Sequence, residues 1–369
     1  MRRPPARTLV ALAALAAAAG PLSAQDSQFG VRGLGTPGRW ESVRSRSTAG
    51  AFAPFDVLSP LAEAPIADVG VLTATGMEGT SYRDATVGGT TTALRTTRFP
   101  LLGVAGPVAP RLAIAAAFTT YLDRTWDVTL RDSSTLRGTL QRYTDEVSSD
   151  GSVADLRVAA ASRLSRRLAL GVGLHLLAGS TRETATRHFD DTTFHTVTQL
   201  GEVRYSGYGV SGSLLLGVLP GLSLSAWARA DNRLRAMVND STSAETPLPH
   251  GWGGGLLFAP GAGVRFAVSG AWRGWSRAGA GAFDTRSWSV GGEVGGGGHL
   301  PWRFGVRGGE LPFGPGPTPP TEFAATTGTG IAFAQGRALL DLGLERLERR
   351  GSGLRERVWT LLVGLAVRP

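Results

Sequence analysis

The strongest constraint on this chain is a period of two that recurs along most of its length. In "GVRFAVSGAWRGW", Val264, Phe266, Val268 and Trp272 fall on one face, and Arg265, Ser269 and Arg273 fall on the other. "PWRFGVRGG" sets Trp302, Phe304 and Val306 against Arg303, Gly305 and Arg307. "LSLSAWARAD" sets Leu222, Leu224, Ala226 and Ala228 against Ser223, Ser225, Arg229 and Asp231. In "LALGVGLHLL", Leu168, Leu170, Val172, Leu174 and Leu176 oppose Gly171, Gly173 and His175. Successive residues of a strand point to opposite faces, so these stretches are strands with one apolar face and one polar or small face.

A soluble sandwich alternates in the same way, so the connections decide. Strands are expected near 69–82, 91–108, 112–130, 151–165, 168–187, 196–219, 221–240, 250–259, 263–276, 285–297, 301–313, 321–336, 338–350 and 355–369. Their joins alternate between tight turns ("APR", "SRR", "PG", "PGAG", "HLP", "QGR") and longer polar stretches at 131–150, 188–195, 241–249, 277–284 and 314–320. Short turns at one end and long loops at the other are the asymmetry of an outer-membrane barrel. An even strand number puts both ends of the wall on the short-turn side. "ALLDLGLERLERR" also reads as an amphipathic helix, but Leu340, Leu342 and Leu344 facing away from Asp341 and Glu345 favour a strand.

No run of about 18 apolar residues follows residue 24, so no membrane-spanning helix is expected. Mean hydropathy is +0.01, yet the chain carries 52 glycines and 9 tryptophans. That combination fits an all-β transmembrane antiparallel barrel of about 14 strands. Trp252, Trp272, Trp275, Trp288, Trp302 and Trp359 lie near strand ends, where interfacial girdles form. The opposite face brings Asp155, Arg157, His175, Arg229, Asp231, Arg265, Arg273, Arg303, Arg307, Asp341 and Glu345 toward the lumen. Charges of both signs there pair across neighbouring strands or contact a solute. The many Gly, Ala and Ser residues on that face leave room inside, which favours a conduit over a filled barrel.

Residues 1–24 read as a signal peptide. Arg2, Arg3 and Arg7 precede a short apolar run, and "PLSA" places cleavage after Ala24. Its removal takes the net charge from +9 to +6. With no cysteine, there is neither a disulfide framework nor a lipid-bearing thiol. The arginines are scattered singly rather than gathered in a patch, which argues against nucleic-acid binding.

One stretch fits neither period. "RSTAGAFAPFDVLSPLAEAPIADVG", residues 46–70, is small and apolar and is broken by Pro54, Pro60 and Pro65. Phe52, Phe55, Leu58 and Leu61 need burial, and a barrel lumen offers it. Pro100 interrupts another strand. It has no N–H for the ladder, so a bulge or kink is expected there, and a kinked wall is one way to open a lateral exit. "RHFDDTTFH" gathers His188, Asp190, Asp191 and His195, but without a nucleophile it is read as an ordinary polar loop. "GGEVGGGG" lacks the lysine and helix of a phosphate loop.

This layout resembles the long-chain fatty acid and aromatic-hydrocarbon outer-membrane transporter family (FadL/TodX-like), with PorV-type barrels related in layout. The resemblance rests on "GLGTPGR", on "STAGAFAPFDVLSPLAEAP", on "LPHGWGGGLLFAPGAGVRFAVSGAWRGW" and on the closing "RERVWTLLVGLAVRP". Ser59-Pro60 stands where the family has Asn-Pro, and the outer stretch 131–150 is shorter and more polar than the family's substrate-gathering loop. The resemblance implies a signal peptide at 1–24, a hatch at 25–68 inside the lumen, and a barrel over 69–369. The hatch or gate residues are then Phe52, Phe55, Asp56, Leu58 and Pro60. The implied function is passive uptake of small hydrophobic compounds by a monomer in the outer membrane, with a lipid, a detergent or a small apolar ligand as partner. No chemistry, cofactor or metal is expected. The alternative is a scaffold or binding barrel that docks a secretion or envelope partner.

Overall fold

The computed structural model describes residues 27–368, apart from 88–89, 137, 192, 239–240 and 297–299. The expected signal peptide, its expected cleavage site and the first two residues of the expected hatch lie outside the described residues. Among them are eighteen strands. A two-residue β1 (Thr36–Pro37) is followed by β2 (Thr73–Val87), β3 (Thr90–Ala109), β4 (Leu112–Asp123), β5 (Trp126–Leu136) and β6 (Thr139–Arg163). Then come β7 (Leu168–Phe189), β8 (Val197–Leu219), β9 (Leu222–Asp231), β10 (Arg233–Val238), β11 (Ser241–Pro247) and β12 (His250–Gly261). The last six are β13 (Val264–Arg273), β14 (Thr285–Val294), β15 (Trp302–Glu310), β16 (Thr321–Phe333), β17 (Ala338–Gly351) and β18 (Leu354–Val367).

These make a closed antiparallel wall. β18 pairs with β2 from Leu354↔Val87 to Val367↔Ala74, and β9 joins β12. Closure removes the free edges that would otherwise expose unpaired backbone groups to lipid. β4 and β5 are two parts of one wall strand, separated at Arg124–Thr125, because β6 pairs with both. β9 and β10 are likewise separated at Asn232, and β8 pairs with both. The wall therefore has fourteen strands, one for each expected from the sequence.

Alternation along each strand becomes inside and outside. In β7, Val172 and Leu174 are each 65% exposed, whereas Gly173 between them and Ala169, His175 and Leu177 to either side are buried. In β18, Trp359, Leu361, Val363 and Leu365 face out, and Val358, Thr360 and Leu362 face in. The turns at 110–111, 164–167, 220–221, 262–263 and 334–337 lie at one end. At the "PG" turn Gly221 takes φ +76°, and a Cβ there would sit 2.4 Å from the Ala259 carbonyl oxygen.

Three sequence expectations need correction. Residues 131–150 form no loop: β5 and β6 pair from Trp126↔Ser149 to Leu136↔Thr139 as a hairpin rising from the wall. Both of its faces meet water, so no apolar alternation marks it. The 241–249 stretch likewise contains β11, paired with β10. Trp275 lies in a single 3-10 turn (Trp275–Ala278) that turns it inward, where it is buried against Phe313, rather than in a girdle. The helical alternative for "ALLDLGLERLERR" is overturned, since β17 pairs with β16 and β18 throughout.

Residues 27–68 run down inside the wall. The segment begins at the long-loop end, where Ser27 Oγ donates to Glu356 (2.8 Å) and Phe29 packs on Leu311 and Leu354. It ends at the short-turn end, where Ile66 is buried among Ala105, Ala113, Ala115, Ala159 and Ala161. Its helix α1 (Val43–Ser47) starts at Ser42, whose side chain accepts from the Ser45 N–H. Barrel glycines let α1 approach: a Cβ on Gly305 would lie 2.5 Å from the Thr48 carbonyl carbon. The core of the molecule is the contact between this segment and the wall's small inner residues.

Candidate functional site

The inner segment is organised around Asp56. Its carboxylate accepts from Ser42 Oγ (2.5 Å), Ser45 Oγ (2.7 Å), Ser59 Oγ (3.2 Å) and the Leu58 N–H (3.1 Å). These bonds fold "SVRSRSTAGAFAPFDVLS" back on itself. Phe52 is buried with Ala51 and Ala267, Phe55 packs beside them, and the Arg44 guanidinium lies 5.8 Å from the Phe52 ring. Leu58 and Pro60 face Leu101, Gly103 and Arg157 across a gap of about 20 Å³. Charge-assisted hydrogen bonds contribute about 1.5–3 kcal/mol each. Asp56→Ala is therefore expected to loosen the segment while the wall stays closed. Limited proteolysis should cut within 40–60 at least tenfold faster, with unchanged heat-modifiability of the barrel on gels (about 1.4 kcal/mol per tenfold).

Most of the wall's buried charges lie in ion pairs. Arg303 donates to Glu293 (2.8 Å) and Asp341 (2.5 Å), and Arg44 of the segment reaches the same Glu293 (2.8 Å). Glu345 accepts from Arg39 (2.8 Å), Arg46 (3.0 Å) and Arg307 (3.4 Å). Arg307 and Arg349 also meet at Glu322. Burial pushes the Glu41 carboxyl up, but the Arg39 guanidinium at 3.0 Å outweighs it and holds Glu41 below the ordinary carboxylate range. Arg265 differs: it shares the inward parity, yet it is 45% exposed and only 4.0 Å from Glu293.

A second cluster joins five strands to the segment. Tyr121 Oη donates to Asp231 (2.9 Å), and Arg229 bonds both Asp231 (2.9 Å) and Asp155 (2.6 Å). His175 Nδ1 lies 2.9 Å from Asp155, and its Nε2 lies 2.8 Å from Ser211 Oγ. This has the spacing of a nucleophile, base and orienting acid. Ser211 Oγ, however, is 2.6 Å from Glu63 Oε1, so the segment's carboxylate fills the place a substrate carbonyl would take. Arg157 also reaches Glu63 (3.3 Å), and Ser213 Oγ accepts the Glu63 and Ala64 N–H groups. His188 contacts Thr196 (3.3 Å) and lies 3.9 Å from Glu146 at the outer rim.

The wall has a seam. β3 and β4 pair only from Ala109↔Leu112 to Leu101↔Thr119. Beyond that point β4 pairs with β1 instead, Pro37↔Leu122 and Thr36↔Asp123. The Gly38 N–H donates to the Tyr121 carbonyl (2.8 Å), and Trp40 Nε1 donates to the Thr120 carbonyl (3.1 Å). Pro100 sits where β3 leaves β4. The β2–β3 register shifts there, so Phe99 and Pro100 together oppose Glu78. Arg98 bridges the seam to Asp123 (3.0 Å).

Sequence parity found the inward charges but missed Glu63, Glu293, Trp40 and Tyr121. Trp40, Tyr121 and Glu63 matter through partners 80, 110 and 148 positions away, whereas Glu293 shares the inward parity of Ser289 and pairs with Arg303 ten positions on.

No family model matches the chain, and no curated protein matches it by sequence. Solved structures do match in shape. A FadL homologue of Pseudomonas aeruginosa superposes with a TM-score of 0.65 at 12% identity, over 91% of this chain and 100% of its own. The fold is FadL-like. The FadL-like barrel also superposes with the CymD monoaromatic hydrocarbon channel and with the Pseudomonas putida toluene transporter TodX. Each gives a TM-score of 0.57 at 12% identity, over 91% of this chain and 98% of the other.

Proposed function

We propose that this FadL-like barrel carries small hydrophobic compounds passively across the outer membrane, with residues 25–68 as a hatch. The observation that carries the reading is the β3–β4 seam, closed by the segment's own β1. Withdrawing the segment breaks a few hydrogen bonds there and leaves the rest of the wall paired. The Pro100 bulge keeps β3 from closing the gap, since proline cannot donate to the ladder. A lateral way into the bilayer then opens beside it. Phe52, Phe55, Asp56, Leu58 and Pro60 belong to the moving part. Asp155, Arg157, His175, Arg229, Arg303, Arg307 and Asp341 line the vacated path, and Arg265 stands at its short-turn mouth. The fold's likeness to hydrocarbon and toluene carriers supports an apolar cargo. The protein acts as a monomer, exported by its signal peptide, without cofactor or catalysis.

The test exploits the absence of cysteine. A Cβ on Gly343 would lie 2.8 Å from Ser47 Oγ, so Ser47→Cys with Gly343→Cys places two thiols within disulfide reach. In liposomes the oxidised pair is expected to pass toluene at least about tenfold more slowly than the reduced pair (about 1.4 kcal/mol). Equal flux in both states would refute a moving hatch.

A scaffold role is the second reading. Leu130, Leu140, Val197 and Leu200 are exposed on β5, β6 and β8 where these project from the long-loop end, and they offer an apolar surface to an envelope or secretion partner. A protein co-purifying through these strands would favour it.

A further inference from the structure

A cavity of about 180 Å³ lies between the segment and the wall on the long-loop side. Its charged lining is nearly all spoken for. Arg39 is held by Glu41 and Glu345, Arg307 by Glu322 and Glu345, and Arg349 by Glu322 and Glu356. The last lining carboxylate, Glu310, accepts the Arg286 N–H (2.9 Å). Arg273, at the end of β13, is the exception. Its guanidinium lies 4.2 Å from the centre of the Trp40 ring, and among the described residues it makes no ion pair or side-chain hydrogen bond.

We propose that this cavity binds a single-ring aromatic anion, its carboxylate on Arg273 and its ring among Trp227, Trp275 and Leu61. Three observations converge on that ligand. A guanidinium presents a planar fork of N–H donors that a carboxylate meets with two parallel bonds. Stacking on Trp40 holds the fork in one orientation before any ligand arrives, which lowers the entropic cost of binding. The size limits the rest: an apolar cavity of about 150 Å³ accepts benzene, so about 180 Å³ takes one ring and a small charged group, not a long alkyl chain. A neutral ring would fill the same space and leave Arg273 desolvated without a partner, a penalty that discriminates against it. The inference goes beyond the transport reading, whose cargo is apolar, by adding a site for an aromatic anion, and the site stands or falls by binding alone.

The experiment compares benzoate with benzyl alcohol, its neutral counterpart, on the full-length protein in detergent by titration calorimetry. Benzoate is expected to bind at least about tenfold more tightly, and Arg273→Gln should remove that preference by weakening benzoate and relieving the penalty on benzyl alcohol (about 1.4 kcal/mol per tenfold). Arg273→Lys keeps the charge without the fork and should retain part of the preference. Equal binding of the two compounds by the unaltered protein overturns the proposal without any variant. So does benzoate binding that survives Arg273→Gln in a barrel of normal heat-modifiability. Flux in liposomes separates the two readings. Benzoate that binds while toluene flux is the same for the oxidised and reduced cysteine pair counts against transport alone, whereas hatch-dependent toluene flux without benzoate binding counts against the site alone.

Discussion

Deleting residues 25–65 is expected to turn the barrel into an open pore. Fourteen strands about 4.8 Å apart, tilted by about 40°, give a circumference near 88 Å and a backbone radius of about 14 Å. Inward side chains take about 5 Å of that radius, leaving a channel wide enough for solutes of several hundred daltons once the segment is gone. The wall should survive with its β3–β4 seam open, since β3 and β4 still pair from Leu101↔Thr119 to Ala109↔Leu112 and the ring closes through β18–β2 and β9–β12 without the segment. Water entering the lumen would hydrate Glu293 and Glu345 after their segment arginines leave. The measurement is sugar efflux from liposomes. A rise of at least about tenfold over the full chain is expected (about 1.4 kcal/mol), and unchanged permeability would show that the segment does not obstruct the lumen.

Replacing Glu345 with glutamine is expected to give the largest loss of stability of any single change. Its carboxylate is almost fully buried and collects Arg39, Arg46 and Arg307. Removing one partner of a buried ion pair strands the other charge away from water, at a cost of about 3–5 kcal/mol. Here three cations are left with less compensation, while Glu41 and Glu322 still serve Arg39 and Arg307. Adding Arg46→Met should recover part of the loss, because it withdraws one stranded charge. Arg265→Gln provides the contrast: its pair is long and exposed, and exposed pairs contribute about 0–1 kcal/mol. Guanidinium unfolding midpoints would order the variants. Equal midpoints for Glu345→Gln and Arg265→Gln would contradict the role given to the buried cluster.

How much of this was legible in the sequence depends on the distance over which each pattern acts. The wall is written locally: a residue and its second neighbour face the same way, so a dozen residues such as "LALGVGLHLL" reveal both strand and orientation. Arg157, Arg229, Arg303 and Arg307 share the inward parity and are buried. Parity carries no depth, so Arg265 shares the same pattern yet is exposed at an end of the wall. Where both faces meet water, as in the β5–β6 hairpin, alternation vanishes and a strand reads as a loop. Pairing of the lumen charges was the least legible. Arg39 and Glu345 are 306 positions apart, and their meeting depends on closing the whole circle. For the same reason Arg273 reads as one more inward arginine until the structure shows which arginines already have acids.

The path of the inner segment also bears on assembly. Its first described residues bond β18 at the long-loop end, and its last pack at the short-turn end. The chain thus traverses the full height of the wall before it begins to build it. The β18–β2 junction joins the last strand to the first wall strand, across almost the entire sequence. It is the natural final stitch, and the segment has to be inside before that stitch is made. Threading it through a finished ring would drag Arg39, Arg44 and Arg46 past a lumen lined with their own partners. Biogenesis on this view is a wrapping process, in which the nascent interior serves as the template around which the sheet curls shut.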